Sequence, residues 1–480
     1  MAKMHALQKL SEQVKEKNSR LILGLDPENQ ELVSDKMVDH VVGLIDETHE
    51  NIVGIKPNLG FYEWQNRDSL KTIFHYAKTK YPELLKILDA KRGDIGNTQR
   101  KYAAADFLNF DPDIVTVAPY TGQADTIRPY LDAKPECAVF ALAATSNEDT
   151  PVQNLNAGGL KIYQQMALEV RGVDAGRVGL VVGSTKPEDM RDIRAAELEE
   201  GYAPENTAWV LAPGFGRQGG NLEFVKYAGP NAVYPISSGL VNPKYLNGRT
   251  PGRAALEWKN ILNDAAAGGY EMRSVSEYFV DGMISEEILW LAPDANAENW
   301  RTLNNGTKSP IYWDIRAVQS YPALFRKAVY LMRRKIERSG VRFDRVASVP
   351  YGALALGNAV AYDMGKPVVT MRKEGAKEHG DKDSIVGRFK DGDTAIIIED
   401  VVTSGKSIWE GCEQLSAKGI KVSDAFVLID RQQEGAADRL AGVYGVKLHS
   451  LLKQTEAAKK MPANHPMRDV VLKYLEENVK

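Results

Sequence analysis

The first half of the chain alternates short apolar runs, rich in β-branched residues, with longer stretches of helical periodicity. Eight such runs occur within about 240 residues, at 21–26, 52–57, 84–91, 114–119, 138–145, 178–185, 208–214 and 232–238. This repetition predicts eight parallel strands joined by helices, the pattern of a (β/α)8 TIM barrel of about 250 residues. An open doubly wound sheet is the alternative. We favour the barrel because eight parallel strands close more readily than they stay flat.

A short segment of small residues separates this alternating pattern from a second set of strand and helix candidates. Residues 265–269 read Ala-Ala-Ala-Gly-Gly and predict a helix end or linker, so we expect domains at 1–268 and 269–480. Strand candidates at 346–350, 367–372, 394–400 and 424–431 follow, with glycine-rich turns between them. They predict a second α/β domain, whose open parallel sheet binds ligands at the carboxyl ends of its strands.

Composition narrows the classes of protein that the chain can belong to. The net charge is -3, from 61 basic and 64 acidic side chains, which argues against a nucleic-acid partner. Two cysteines, Cys137 and Cys412, exclude a disulfide framework and favour a reducing cytosol. The chain contains no apolar run long enough to span a membrane, and its polar start does not have the pattern of a signal peptide. We therefore expect a cytoplasmic protein.

Charged residues stand at the ends of the first three apolar runs. Asp26 closes the first run, Lys56 nearly closes the second, and Asp89 and Lys91 close the third, with Asp94 in the following turn. In a barrel these positions lie at the carboxyl-terminal mouth, where active sites are built. We expect the two lysines and three carboxylates to converge on one pocket. A salt-bridge network that only neutralises buried charge is the alternative, although such networks add little net stability after desolvation.

A glycine-rich loop follows the seventh run. Residues 213–220 read Pro-Gly-Phe-Gly-Arg-Gln-Gly-Gly, a composition that lets backbone N–H groups approach a phosphate. Barrels commonly bind phosphate after the seventh and eighth strands. The loop therefore predicts a phosphate site at the barrel mouth.

The third run and its turn carry a family resemblance. Residues 89–98 read Asp-Ala-Lys-Arg-Gly-Asp-Ile-Gly-Asn-Thr, which resembles the signature of orotidine 5'-phosphate decarboxylases. Residues 23–27, 55–58 and 145–147 match the same family in the same order, and the resemblance covers roughly residues 5–265. It implies decarboxylation of orotidine 5'-phosphate without a cofactor. The charged catalytic array that it implies is Lys56, Asp89, Lys91 and Asp94.

The same resemblance implies substrate-binding residues and an assembly. Members of the family are dimers in which the residues matching Asp94 and Thr98 reach into the neighbouring subunit's site. The binding residues implied are Asp26 and Thr98 for ribose, Ser146 for the pyrimidine, and Gln218 and Gly219 for phosphate.

A second chemical signature follows the strand candidate at 394–400. Two acids, Glu399 and Asp400, are suited to ribose hydroxyls, directly or through Mg2+. The turn and helix start after them supply hydroxyl and backbone N–H groups suited to a monophosphate. The residues of that turn are Thr403, Ser404, Gly405, Lys406 and Ser407. A P-loop is rejected because Asp400 stands where its first glycine would be, and a solvated turn is the plain alternative.

This signature resembles the phosphoribosyl diphosphate motif of type I phosphoribosyltransferases, and roughly residues 280–455 resemble orotate phosphoribosyltransferase. Residues 308–316, 372–380 and 430–431 support that resemblance. It implies transfer of phosphoribosyl to orotate, with Mg2+ carried by phosphoribosyl diphosphate and no direct protein ligand to the metal. The residues implied are Arg372, Lys373, Lys377 and His379 for the diphosphate, with Lys377 also catalytic, and Arg431 for orotate.

Together the resemblances imply an enzyme of pyrimidine biosynthesis that makes orotidine 5'-phosphate and decarboxylates it to UMP, as a homodimer or higher homo-oligomer. One alternative for the barrel is a Mg2+-dependent sugar-phosphate decarboxylase or aldolase on the same Asp-x-Lys-x-x-Asp scaffold. For the second domain the alternative is a weak, vestigial or regulatory module. Asn304 and Gly352, which stand where many bacterial transferases have lysines, motivate that alternative.

One departure from the decarboxylase pattern generates a prediction. Gly239 stands where the family usually has a phosphate-binding arginine, and Arg217 stands where it usually has a small residue. We hypothesise that Arg217 supplies the missing charge. Arg217→Ala should then weaken binding of orotidine 5'-phosphate by at least about tenfold, because a charged hydrogen bond is lost. The measurement is the KM of the variant for orotidine 5'-phosphate, and an unchanged KM rules the hypothesis out.

Overall fold

The computed structural model describes residues 4–27, 35–64, 67–147, 150–216, 219–303, 306–372, 385–433 and 435–479. By its internal contacts the chain divides into two units. The first comprises Met1–Leu155 and Lys161–Ser274, and the second comprises Asn156–Leu160 and Val275–Lys480. The boundary expected between residues 268 and 269 stays a prediction of where the two functional domains meet.

Eight parallel strands close the first unit into a barrel. Each strand pairs with the next along the chain, and the last pairs with the first. Closure confirms the predicted TIM barrel and excludes the open doubly wound sheet. The strands, β1 to β8, are Leu21–Leu25, Gly54–Pro57, Leu85–Arg92, Ile114–Val117, Ala138–Ala144, Val178–Val182, Val210–Leu211 and Ala232–Ile236.

The barrel strands are apolar throughout because both of their faces are buried. Every residue of β1 and β6 is buried, since helices cover the outside and side chains fill the inside. Close packing also requires small residues inside the barrel. A Cβ added to Gly179 would lie 2.5 Å from the ring of Phe140.

The first helix, Ala6–Lys17, packs onto the amino end of the barrel. Leu7 and Leu10 belong to the same buried cluster as Ile22 and Val233 of the barrel strands. The Ala6 N–H donates to the Glu136 carbonyl, just before β5 begins. Apolar packing therefore covers one end of the barrel, which leaves the carboxyl-terminal end for ligands.

Helices connect the strands and cover the outside of the barrel. Thr250 shows how one of them begins, because its side chain accepts from the Arg253 N–H and Pro251 follows at the first helical position. After the first helix, the helices of this region are Asp35–Thr48, Leu59–Glu63, Arg67–Lys80, Gly96–Phe110, Gln123–Ala133, Pro151–Asn154, Ile162–Val173, Pro187–Glu199, Glu223–Ala228, Ser238–Val241, Pro243–Leu246 and Pro251–Ala267, with 3-10 turns at Pro119–Thr121 and Pro204–Asn206.

The second unit contains a six-stranded sheet in the order β11-β10-β9-β12-β13-β14. All neighbours are parallel except β11, which runs antiparallel to β10. The strands, β9 to β14, are Arg345–Ser348, Val368–Met371, Ile385–Val386, Thr394–Val402, Lys421–Asp430 and Lys447–Lys453. The four predicted strands are present, which confirms the parallel sheet. The two edge strands, β11 and β14, were not predicted.

Helices and short strand pairs complete the second unit. No helix in the described ranges is long and apolar enough to cross a membrane. The helices are Val275–Ser285, Pro322–Ser339, Leu354–Asp363, Lys406–Ser416, Ala436–Tyr444, Gln454–Lys460 and Arg468–Asn478, with 3-10 turns at Ala297–Asn299 and Ile315–Ser320. The short strand pairs are Leu289–Leu291 with Ile311–Trp313, and Arg301–Thr302 with Lys308–Ser309; a further pair is Asn156–Ala157 with Leu160–Lys161.

Candidate active sites

At the carboxyl end of the barrel, the Asp89 carboxylate lies between two lysines. Lys56 Nζ donates to its Oδ2 at 2.7 Å, and Lys91 Nζ donates to its Oδ1 at 2.6 Å. Thr116 Oγ1, from β4, donates to the same Oδ1 at 2.9 Å. Three neighbouring strands therefore hold this carboxylate by charge-assisted and neutral hydrogen bonds. Sequence reasoning missed Thr116, because one threonine within an apolar strand gives no local signal.

Burial and charge act against each other at Asp89 and Lys56, which are both buried. Burial alone would raise the pKa of Asp89, but Lys56 and Lys91 outweigh it and hold that pKa far below its usual value. Burial would likewise lower the pKa of Lys56, whereas Asp89 and Asp26 outweigh it and raise that pKa. Both groups therefore stay ionised at neutral pH, and the site presents fixed charges.

Lys91 departs from regular strand geometry. Its φ of +47° lies in the left-handed region, which costs a non-glycine residue about 1 to 2 kcal/mol. Its N–H donates to Thr116 Oγ1 at 3.0 Å, and the pairing of β3 with β4 shifts register at this point. The side chain is 45% exposed. The ammonium of Lys91 is thus bound to Asp89 on one side and accessible from the barrel mouth on the other.

Asp26 and Asp94 differ in their relation to this array. Asp26 accepts from the Asn58 N–H at 3.1 Å and acts electrostatically on Lys56. Asp94 accepts from its own neighbour, the Ile95 N–H, at 2.8 Å. In the part of the chain that the structure describes, Asp94 forms no ion pair with either lysine. The expected place of Asp94 in the charged array therefore stays a prediction.

An ion pair fixes the chain directly after β3. Arg92 pairs through Nη2 with the buried Asp106 at 3.0 Å, on the helix Gly96–Phe110. This ion pair ties the strand end, and with it the turn that carries Asp94, to that helix. Thr98, in the first turn of the same helix, is exposed.

The remaining predicted barrel residues lie around the mouth. Ser146 follows β5, where a Cβ on Gly183 would come within 2.7 Å of the Ser146 nitrogen. Gly219 has φ +72° and donates its N–H to the Gly216 carbonyl. A Cβ on Gly239 would lie 3.1 Å from Trp258 Nε1, so a side chain there would be tightly packed. Two predicted phosphate ligands, Arg217 and Gln218, lie outside the described residues.

In the second unit, Glu399 and Asp400 are buried near the end of β12. Burial, and to a smaller extent the neighbouring Asp400, raises the pKa of Glu399 to about 9. Glu399 therefore keeps a proton at neutral pH and can donate as well as accept hydrogen bonds. A pair of this kind is suited to vicinal hydroxyl groups, which also both donate and accept.

Arg316, to which the sequence analysis assigned no role, pairs with this acidic site. Its Nε donates to Asp400 Oδ2 at 3.3 Å, and its side chain is 75% exposed. Gly352 leaves room for the pair, because a Cβ there would lie 2.2 Å from Asp400 Oδ2 and 3.0 Å from Arg316 Nε. A lysine in place of Gly352 would require Asp400 to move.

Two cavities meet at Arg316 and Asp400. The larger, of about 560 Å³, also contacts Tyr312, Thr403 and Arg431. The smaller, of about 140 Å³, also contacts Arg372, Glu399 and Ser407. Both therefore open at the carboxyl ends of the parallel strands, where the sheet was predicted to bind ligands.

Arg431 follows β13 directly and has an unusual environment. Burial lowers its pKa from the usual value, and its Nε is buried without a hydrogen-bond partner. Gln454 donates to the Arg431 carbonyl, and the Arg431 N–H donates to the Val402 carbonyl, which together fix the backbone. A guanidinium held in this way is suited to an anionic ligand that completes its hydrogen bonds.

The turn after β12 presents backbone groups at a helix start. Gly405, with φ +79°, precedes the helix Lys406–Ser416, and the Lys406 N–H donates to Ser404 Oγ at 3.4 Å. The Lys406 ammonium lies 3.7 Å from Glu410 one turn along the helix. The Lys406 N–H is therefore engaged within the turn by Ser404, while its ammonium lies along the helix surface.

Three predicted diphosphate ligands, Lys373, Lys377 and His379, lie outside the described residues, as does Asn304. Across the described ranges, no three His, Cys, Asp or Glu side chains are grouped so that they could hold a metal ion. The two carboxyl groups of Glu399 and Asp400 are nevertheless oxygen donors of the kind that Mg2+ prefers.

Comparison with known proteins identifies both units. The family model described as orotidine 5'-phosphate decarboxylase / HUMPS family matches residues 19–238, and the phosphoribosyl transferase domain matches residues 315–453. An orotidine 5'-phosphate decarboxylase of Flavobacterium johnsoniae is 38% identical over 236 residues, which cover 46% of this chain and 81% of the relative. The bifunctional enzyme PyrF/PyrE of a Nostoc species is 28% identical over 478 residues, 93% of this chain and 94% of that protein.

A solved structure also extends over both units. The UMP synthase of Leishmania donovani is 28% identical, has a TM-score of 0.50, and covers 99% of this chain and 100% of its own. Both family resemblances and their order along the chain are thereby confirmed. The chain belongs to the orotidine 5'-phosphate decarboxylase family and carries a phosphoribosyltransferase domain after its barrel in the sequence.

Proposed function

We propose that the barrel converts orotidine 5'-phosphate to UMP and CO2. The observation that supports this most is the Asp89 carboxylate fixed between Lys56 and Lys91. Loss of CO2 from C6 of the pyrimidine leaves a carbanion, which a preorganised ammonium stabilises without rearrangement of the site. We assign that role, and the later protonation of C6, to Lys91. Asp89 holds both ammonium groups in position and lies beside the departing carboxylate.

The substrate-binding roles are proposals from the positions around the barrel mouth. Asp26, close enough to Lys56 to affect its pKa, would bind the ribose. Ser146 would bind the pyrimidine from the end of β5. Gly219, which has no side chain to obstruct a ligand, would lie against the phosphate together with Gln218 and Arg217. Tight binding of this remote phosphate would help to hold the ring against Lys91.

Removing the Lys91 ammonium should abolish most of the decarboxylation. Lys91→Ala is expected to lower kcat by about 100- to 10,000-fold or more, because one group supplies both electrostatic stabilisation and the proton. The measurement is release of CO2 from orotidine 5'-phosphate. Lys78→Ala is the matched control, since it removes another lysine that is paired with an aspartate, Asp111, and should leave kcat unchanged. Wild-type activity that disappears in EDTA would instead favour the metal-dependent sugar-phosphate chemistry.

We propose that the second unit transfers phosphoribosyl from phosphoribosyl diphosphate to orotate, with Mg2+ entering as part of the substrate. Glu399 and Asp400 would hold the ribose hydroxyls, and the turn at 403–407 would hold the 5'-phosphate. Arg372, with Lys373, Lys377 and His379, would bind the diphosphate. Because the ribosyl centre becomes cationic as diphosphate leaves, positioning and electrostatics carry most of the catalysis.

We infer that Arg431 binds orotate. Its Nε is buried and has no hydrogen-bond partner. A guanidinium in this state binds a planar carboxylate more strongly than a neutral base. Arg431→Ala should raise the KM for orotate by about 10- to 100-fold, as expected for a charged hydrogen bond. Decarboxylation of orotidine 5'-phosphate by the same variant is the internal control and should not change. If the wild-type chain forms no orotidine 5'-phosphate from orotate, the transferase is vestigial.

We further propose that the barrel works as a homodimer. Thr98 and the segment around Asp94 are flanked by exposed apolar side chains, Ile95 and Tyr102, and Thr98 is itself exposed. These features suit a surface that another subunit covers. Two buried, unbonded cysteines, Cys137 and Cys412, are compatible with the proposed cytosolic location.

Mixed subunits test the dimer. If Asp94 acts in the partner's site, mixing Lys91→Ala with Asp94→Ala chains under exchange conditions should restore about a quarter of the wild-type decarboxylase activity. In that mixture half of the dimers are hybrid, and each hybrid holds one site with both residues intact. Unmixed samples of each variant are the controls. A mixture no more active than its components means that Asp94 serves its own subunit.

A further inference from the structure

Arg316 lines both of the cavities described above at the acidic site of the second unit. It lines the larger cavity together with Arg431, and it lines the smaller cavity together with Arg372 and Ser407. Under the proposed function the larger cavity receives orotate and the smaller receives phosphoribosyl diphosphate. A residue common to both therefore lies beside the carbon at which one bond breaks and the other forms.

Close packing around Gly352 leaves space beside Asp400 for the Arg316 side chain only because residue 352 has no side chain. A side chain at 352 would meet Asp400 at 2.2 Å and Arg316 Nε at 3.0 Å. The site consequently has no room for a cationic side chain at position 352, in the segment after β9, while the Arg316–Asp400 pair is formed. The positive charge comes instead from the turn Ile315–Ser320.

The contact between Arg316 and Asp400 can be exchanged at low cost. It is made by Nε alone at 3.3 Å, and the arginine side chain is 75% exposed. Exposed ion pairs of this kind contribute little stability. The planar guanidinium also has a terminal pair of N–H groups that matches phosphate oxygens bidentately, which a lysine cannot do.

We propose that Arg316 binds the diphosphate of phosphoribosyl diphosphate, leaving Asp400 as it does so. The exchange frees the Asp400 carboxylate to accept a ribose hydroxyl, so one movement prepares both parts of the substrate. Orotate is the less suitable partner, because Arg431, whose Nε is buried without a hydrogen-bond partner, is already proposed as the cation for its carboxylate. This inference rests on the proposed transferase function and adds a diphosphate ligand to it.

The test compares Arg316→Ala and Arg316→Lys with the wild-type full-length chain. Binding of magnesium pyrophosphate is measured by calorimetry, and KM values are measured for phosphoribosyl diphosphate and for orotate. Arg316→Ala should weaken pyrophosphate binding and raise the KM for phosphoribosyl diphosphate by about 10- to 100-fold, with the KM for orotate changed less than about threefold. Arg316→Lys should recover part of the lost pyrophosphate binding, because lysine keeps the positive charge but lacks the paired N–H groups of the guanidinium. Arg342→Ala, which removes an exposed arginine just before β9 begins, should change neither quantity.

Two results would overturn the inference. Pyrophosphate binding that is unchanged in Arg316→Ala means that the arginine only neutralises Asp400. A rise confined to the KM for orotate means that it serves the other substrate. Both differ from failure of the proposed function itself, in which the wild-type chain would form no orotidine 5'-phosphate at all. A KM for orotate near the wild-type value checks that the transferase unit of each variant is folded, and decarboxylation in the same samples checks the barrel.

Discussion

The barrel site depends on one buried carboxylate, Asp89, that is held by an ammonium on each side. A buried charge is costly unless it is paired and hydrogen-bonded, and here both Oδ atoms have charged donors. Thr116 adds a neutral donor from the next strand. Because these contacts come from three adjacent strands, the positions of the charges are set by barrel closure. The site therefore needs no rearrangement to stabilise charge that develops on a substrate.

The two units hold the charged groups of their sites in different ways. Both place charged groups at the carboxyl ends of parallel strands, where backbone geometry brings separate segments together. In the barrel the charges are locked in a buried array. In the transferase unit Asp400 is buried but its partner Arg316 is exposed, so the pair can open when a more strongly charged partner arrives. A fixed array suits decarboxylation of a single bound nucleotide, and an exchangeable pair suits a site that must admit two substrates.

Local patterns predicted the strands and the ends that carry charge, because β-branched runs and terminal acids are features of single segments. The partners of those charges depend on the fold. Thr116 is 27 positions from Asp89, and Arg316 is 84 positions from Asp400, so no local pattern indicated either contact. Strand β14 was missed because most of its side chains are only partly buried, which weakens its apolar pattern.

One assay tests the combined account most directly. The full-length chain is supplied with orotate labelled in its carboxylate, phosphoribosyl diphosphate and Mg2+, and wild type is compared with Asp89→Asn. We expect wild type to release labelled CO2 and form UMP. Asp89→Asn should consume orotate at the wild-type rate and accumulate orotidine 5'-phosphate that retains the label. Release of CO2 by Asp89→Asn at the wild-type rate, or label that stays in orotate with wild type, would contradict the account.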